Sequence, residues 1–146
     1  MEQLTRPGWD DYFAGIATAV AARADCRRRT VGCVLVKDHR IVSTGYNGGP
    51  SGGASCLAGE CPRGLLTYEQ VAGLGDYDRP GSPGYCVAVH AEANALLYAD
   101  RADARGATAY ITDPPCPGCQ KLLTAAGIER VVYSDDDSLV SLALGR

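Results

Sequence analysis

The sequence predicts a three-layer α/β/α sandwich with a mixed central sheet of four or five strands. Three observations carry that prediction: one apolar stripe at helical spacing near the start, then two short apolar runs around a polar turn, then strands alternating with helices. The 146 residues suit one domain, 1–146, large enough to bury a core. A hydrophobic fraction of 46% with 21% charged residues excludes a disordered chain.

The elements follow in order. From Trp9 to Ala24 the large apolar residues fall at Trp9, Tyr12, Phe13, Ile16 and Val20, the spacing of a helix with one buried face. Val31 to Val36 reads as a buried strand, Lys37-Asp38-His39-Arg40 as a turn, and Ile41 to Thr44 as the returning strand of a hairpin. A Gly/Cys-rich insertion at about 47–86 interrupts the pattern, with one short helix expected over Leu65 to Leu74. A loop of that length inside a compact domain needs pinning or a function. Regular structure resumes with a helix over Ala91 to Ala104, stopped before Gly106, and a strand over Ala107 to Thr112. After Pro114 and Pro115 come a helix from Cys116 to Ala126, a strand at Arg130 to Tyr133, and a short last helix from Ser138 to Leu144.

Several function classes drop out early. No wholly apolar stretch is long enough to cross a membrane, and no basic start precedes an apolar core. An acidic enzyme of this size is expected in the cytoplasm. A net charge of −3 without a basic stripe argues against a long nucleic-acid duplex as partner. A single Trp and a single Phe argue against a channel for single strands. Seven cysteines, an odd number, without a secretion signal point to metal binding rather than a disulfide frame.

The chemistry concentrates in His90-Ala91-Glu92 and Pro115-Cys116-Pro117-Gly118-Cys119. Cys116 and Cys119, three apart at the start of a helix, put both sulfurs on one face near an end that favours thiolates. His90, at the start of another helix, can add a nitrogen. One His and two Cys leave a fourth tetrahedral position on Zn²⁺ for water, the pattern of a catalytic site. Glu92 cannot share a helix face with His90, so it reaches the site only if the metal lies off the helix end. There it stands beside the water as a general acid/base. The two motifs in this order resemble the signature of zinc-dependent nucleobase deaminases.

The sequence resembles the cytidine deaminase superfamily, and within it the deoxycytidylate (dCMP) deaminases, from about Ala22 to Tyr133. Beside the two motifs, Val31-Gly32-Cys33-Val34, Ser43-Thr44-Gly45-Tyr46-Asn47-Gly48 and the continuation Ala93-Asn94-Ala95 carry the likeness. The resemblance implies zinc between two helix N-termini and hydrolytic attack at C4 of cytosine. It implies that Glu92 moves the proton to ring N3 and then to the departing amine. It also implies that the Ala91 amide holds O2, that the Pro114 carbonyl accepts from the amine, and that Asn47 holds a sugar hydroxyl. Asn47 equally suits the turn Tyr46-Asn47-Gly48-Gly49. Pro114 stands where relatives commonly have Ser. The expected reaction is dCMP to dUMP plus ammonia. The alternative is the same chemistry on an unphosphorylated nucleoside, free base or other amino-heterocycle, favoured by Asp135-Asp136-Asp137, which would repel a phosphate, and by an early end to the chain. A rival of another class, a non-catalytic nucleotide-sensing zinc module, leaves Glu92 without a purpose. Family members are commonly homo-oligomers.

Of the other cysteines, Cys33 reads as a buried small hydrophobe. Cys26, Cys56, Cys61 and Cys86 could form a second, structural zinc site that pins the insertion, or stay reduced thiols without metal. Arg23, Arg27, Arg28 and Arg29 form either a solvated basic face or, in part, a phosphate site.

Overall fold

The computed structural model describes residues 3–145. Its centre is a five-stranded mixed sheet in the order β2-β1-β3-β4-β5. Strands β1 (Gly32–Lys37) and β2 (Arg40–Tyr46) form an antiparallel hairpin. Asp38 and His39 both take positive φ at its turn, the backbone a two-residue loop needs to match strand twist. β3 (Thr108–Ile111) lies antiparallel to β1, and β4 (Arg130–Asp135) runs parallel to β3.

Alternation along each strand builds the layers. Cys33 and Leu35 of β1, Ala109 and Ile111 of β3, and Val131 of β4 face one side. They meet α3 (Ala91–Leu97), α4 (Arg101–Ala104) and α5 (Pro117–Ala125) through Ala95, Ala104 and Leu123. Val34, Val36, Tyr110 and Val132 face the other side and take Phe13 and Ala17 of α1 (Trp9–Ala21). Period-two side chains thus feed two separate cores from one sheet. Cys33 is fully buried, and burial pushes its thiol up, as suits a small hydrophobe.

Three element expectations need correction. Ser138–Ala143 is a strand, β5, antiparallel to β4, not a helix. Asp136 takes positive φ and turns the chain so that Asp135 pairs with Ser138. Six residues gain more from the open edge of β4 than from an isolated helix, whose nucleation is unfavourable. The helix expected over Ala91 to Ala104 is two helices, broken where Asp100 adopts extended backbone and begins α4. The short helix of the insertion is a 3₁₀ turn at Arg63–Leu65 followed by α2 (Tyr68–Val71). α2 starts at a reciprocal cap: Thr67 Oγ1 accepts from the Gln70 amide, and Gln70 Oε1 accepts from the Thr67 amide.

The insertion leaves and rejoins the fold at one point. Gly48 and Val89 exchange two backbone hydrogen bonds, of 3.1 and 2.7 Å, as an antiparallel bridge.

Candidate metal centre and active-site cleft

Two helix starts converge at one end of the sheet. His90 is the residue before α3, with extended backbone, and its carbonyl accepts from Asn94. Cys116 holds the same place before α5, and its Sγ accepts from the Cys119 amide at 3.5 Å. Pro117 follows as first helical residue, where its missing N–H costs nothing.

His90 Nδ1 lies 3.6 Å from Cys116 Sγ and 3.4 Å from Cys119 Sγ. A tetrahedral Zn²⁺ with ordinary Zn–N and Zn–S bonds separates nitrogen from sulfur by roughly 3.6 Å. The donor set therefore fits zinc without rearrangement. Among the described residues these three form the group whose ligand atoms all lie within 4.8 Å of one another.

Glu92 sits in the first turn of α3, is only 4% exposed, and lines the same cleft. Burial, and then the Glu92 carboxylate beside it, push the Cys119 thiol far up. Metal is what would bring that sulfur to the thiolate form.

α3 is fixed to β2 by a close approach. A Cβ on Gly45 would run into the Ala91 carbonyl and the Ala95 amide. Ser43 Oγ donates to the Ala95 carbonyl at 2.7 Å, and Asn94 Nδ2 to the Tyr46 carbonyl at 2.8 Å. Asn94 belongs to the motif around His90, yet sequence reasoning gave it no role; it ties the metal-bearing helix to the hairpin.

Ala91, Pro114 and Asn47 all line the cleft. Asn47 is buried and much of its amide is committed: Oδ1 accepts from the Val31 amide at 2.8 Å, and Nδ2 donates to the Arg29 carbonyl at 3.0 Å. It shapes the cleft wall whatever else it touches.

The arginines divide. Arg28 lines the cleft, whereas Arg23 and Arg27 do not. Arg23 lies over the Tyr46 ring, 5.8 Å from its centroid, and Arg27 Nε donates to the Cys56 carbonyl at 3.1 Å. Consecutive side chains leave this turn in different directions, so one sequence cluster serves several surroundings. Arg29 also reaches the cleft, paired with Asp113 at 2.8 Å. A further cation, Arg63 of the insertion, lines it as well and escaped sequence reasoning. Asp135-Asp136-Asp137 turn the β4–β5 hairpin and do not line the cleft.

The remaining thiols gather beside this wall. Cys61 Sγ donates to the Tyr85 carbonyl at 3.9 Å, and Cys61 and Cys26 are both close enough to Cys56 and Cys86 to act on their charge. Burial pushes the Cys56 and Cys86 thiols up. Cys61 goes the other way: despite burial, the backbone N–H groups of Val87 and Gly64 hold it below its ordinary value. Arg27 and Arg28 donate backbone N–H groups to Cys56 Sγ and Cys26 Sγ, both at 3.4 Å. A Cβ on Gly64 would fall 2.6 Å from Cys56 Sγ, so the chain needs glycine there to let the thiols close in.

Comparison with known proteins places the arrangement. Residues 7–135 match the model of the cytidine and deoxycytidylate deaminase zinc-binding region. The chain belongs to this family. A deoxycytidylate deaminase of Mycobacterium phage D29 is 56% identical over 130 residues, 89% of this chain and 97% of that protein. The deoxycytidylate deaminase of Saccharomyces cerevisiae is 41% identical over 135 residues, 92% of this chain but 40% of the yeast protein. The crystal structure of dCMP deaminase from the cyanophage S-TIM5 in complex with dCMP and dUMP superposes with a TM-score of 0.62 at 25% identity, covering 89% of this chain and 83% of that one. The zinc-binding region of the family and the one-nitrogen, two-sulfur set at one cleft together assign catalytic Zn²⁺.

Proposed function

We infer that the chain is a zinc-dependent hydrolytic deaminase of cytosine nucleotides, converting dCMP to dUMP and ammonia. The observation that carries this reading is His90 Nδ1 at 3.4 and 3.6 Å from two sulfurs, with the buried Glu92 carboxylate beside them. The relatives' names and the dCMP and dUMP bound in the cyanophage enzyme supply the substrate.

His90, Cys116 and Cys119 would hold the zinc. Zinc, when bound, supplies the Lewis acidity that makes water nucleophilic at neutral pH. Glu92 takes a proton from the attacking water and passes it to ring N3. Glu92 then takes the remaining proton from the new C4 hydroxyl and delivers it to the exocyclic amine as the bond from C4 to that nitrogen breaks, which leaves the C4 carbonyl of dUMP and ammonia. The N–H of Ala91 heads α3, where it has no partner within the helix, and it is offered to the base O2. The Pro114 carbonyl accepts from the amine, which needs no side chain. Asn47 keeps one N–H and one lone pair for the sugar.

Three further readings accompany this one. Residues 1–146 act as one domain, which the two cores sharing one sheet support. Cys26, Cys56, Cys61 and Cys86 hold a second, structural zinc by drawing their sulfurs in to ligand distance; their neighbourhood, reached from three separate segments, supports this. The protein is a cytoplasmic homo-oligomer; the half-exposed Trp9, Tyr12 and Ile41 support assembly, and no helix among the described residues is long and apolar enough to cross a membrane.

The test is ammonia release from dCMP, deoxycytidine, cytidine, cytosine and guanine. The expected result is preference for dCMP, with Glu92→Ala losing ~10²–10⁴-fold in rate while keeping its zinc. Turnover of unphosphorylated compounds alone refutes the nucleotide assignment.

A further inference from the structure

The helix start at His90 fixes a backbone, not a ring. The His90 carbonyl accepts from the Asn94 amide at 2.9 Å, and the bridge between Gly48 and Val89 holds the residue before it. The side-chain torsions remain, and they aim Nδ1 at the sulfurs of Cys116 and Cys119. A histidine that ligates a metal ordinarily settles its tilt through the other ring nitrogen, which donates to a carboxylate, a carbonyl or water. Among the described residues the polar contacts of the His90 ring are those of Nδ1 to the two sulfurs, and Nε2 has no protein acceptor.

What the ring does meet is Tyr77. The two rings are nearly parallel, at 18°, with centroids 6.4 Å apart, an offset stack within the range of aromatic pairs. Tyr77 is itself held in place. Its carbonyl accepts from the Cys86 amide at 2.8 Å, four residues before His90. The Arg63 guanidinium lies over its ring, 5.7 Å from the centroid, and Arg63 Nη1 donates to the Gly84 carbonyl at 3.1 Å. The residue before it is tied down as well: Ser82 Oγ donates to the Asp76 carbonyl at 2.9 Å, and Arg79 pairs with Asp76 at 3.2 Å.

Tyr77 does not serve as packing. Its ring is 41% exposed and belongs to neither core. Among the described residues its aromatic and polar side-chain contacts are those of the ring to His90 and Arg63, and none is made by the hydroxyl. Both neighbours suit the electron-rich face of a phenol ring: one is a guanidinium, the other an imidazole that gains positive character as a zinc ligand.

We propose that Tyr77 is a positioning residue for the deamination: its ring sets the tilt of the His90 imidazole and so keeps Nδ1 aimed between the two sulfurs. The insertion, which supplies none of the three ligands at this centre, thereby takes part in building it. This rests on the zinc site at His90, Cys116 and Cys119.

The experiment follows zinc release from the full chain into a chromophoric chelator, together with turnover of dCMP, in wild type, Tyr77→Ala, Tyr77→Phe and, as control, Arg79→Ala. The zinc whose release tracks the loss of turnover is the one at His90. For Tyr77→Ala we expect its affinity to fall about 10- to 100-fold, the ordinary effect of losing a contact behind a metal ligand. Tyr77→Phe keeps the affinity, because the stack needs no hydroxyl. Arg79→Ala keeps it too, since it removes only an exposed ion pair from the same turn. With Co²⁺ replacing the zinc at His90, the visible absorption bands shift in Tyr77→Ala and stay in place in Tyr77→Phe. Thermal melting checks the fold; if Tyr77→Ala does not fold, Tyr77→Leu supplies apolar bulk without the aromatic face. Unchanged zinc affinity and cobalt bands in the variant that lacks the ring overturn the proposal. A loss as large in Tyr77→Phe or Arg79→Ala overturns it equally, because the hydroxyl or a loosened turn would then be the cause. A wild type whose turnover survives removal of all zinc overturns the metal centre itself, a failure distinct from that of Tyr77.

Discussion

Adding one methyl group at Gly45 tests how tightly the metal centre is built. Gly45 lies in β2 opposite Cys33, with α3 directly above it. Its Cβ would overlap the Ala91 carbonyl and the Ala95 amide and come to 3.0 Å from Ala95 Cα. All three are backbone atoms of α3, so no side chain can swing aside. The helix must retreat by roughly 1 Å, and His90 retreats with it. Overpacking of this kind is worth about 1–3 kcal/mol. For a chain of this size that lowers Tm by about 2–12 °C. A ligand misplaced by about 1 Å also reduces catalysis by about 10²-fold. Gly45→Ala is therefore expected to melt early, to bind zinc poorly and to lose most of its kcat/KM. Gly15→Ala is the control: it lies on the exposed face of α1 with open space where its Cβ would stand, and should gain about 0.5–1 kcal/mol. Thermal melting, zinc analysis and the dCMP assay read all three quantities. A Gly45→Ala protein with the parent's Tm and activity would falsify the close packing of α3 on β2.

Cys56→Ser should lower bound zinc from two equivalents to one and loosen the insertion, since Cys56 is buried among the other thiols and holds both the backbone and side chain of Arg27. Unchanged zinc content would remove the second site. The Tyr110 hydroxyl donates to Asp10 at 2.7 Å, and burial together with that carboxylate pushes its pKa up to about 12. The neutral phenol is the favoured form, so its contribution, roughly 2 kcal/mol at most, is complete below pH ~10 and lost as pH rises toward 12. Denaturant unfolding should show the stability gap between wild type and Tyr110→Phe shrinking across that interval; a constant gap would contradict the assignment.

What the sequence reveals depends on how local the determinant is. The alternation of Cys33 and Leu35 with Val34 and Val36 is visible in the chain, and it divides the two cores as observed. His90 and Cys116 each precede a helix, and the folded chain brings those helix starts together. β5 was hidden because Leu139, Val140 and Leu142 fit a helix as well as a strand; the free edge of β4, a tertiary feature, decides between them. The break at Asp100 was hidden for a similar reason, since one acidic residue in an Ala-rich run says little by itself. Arg63 lies 35 residues from Arg28 in the chain, and only the folded insertion brings both to one cleft. Arg23 and Arg27 show the converse, close neighbours in sequence that a single turn sends elsewhere.

The bridge between Gly48 and Val89 has a consequence for how such a chain can change over generations. Because the insertion enters and leaves through one pair of residues, altering its length changes mainly the entropy of closing a loop, about 0.6 kcal/mol for each doubling. The helix starts bearing His90 and Cys116 lie outside that closed segment. Tyr77 apart, residues between the two ends can then be gained, lost or recharged while the reaction centre keeps its form. Substrate preference and reaction chemistry become separately evolvable parts of one small protein.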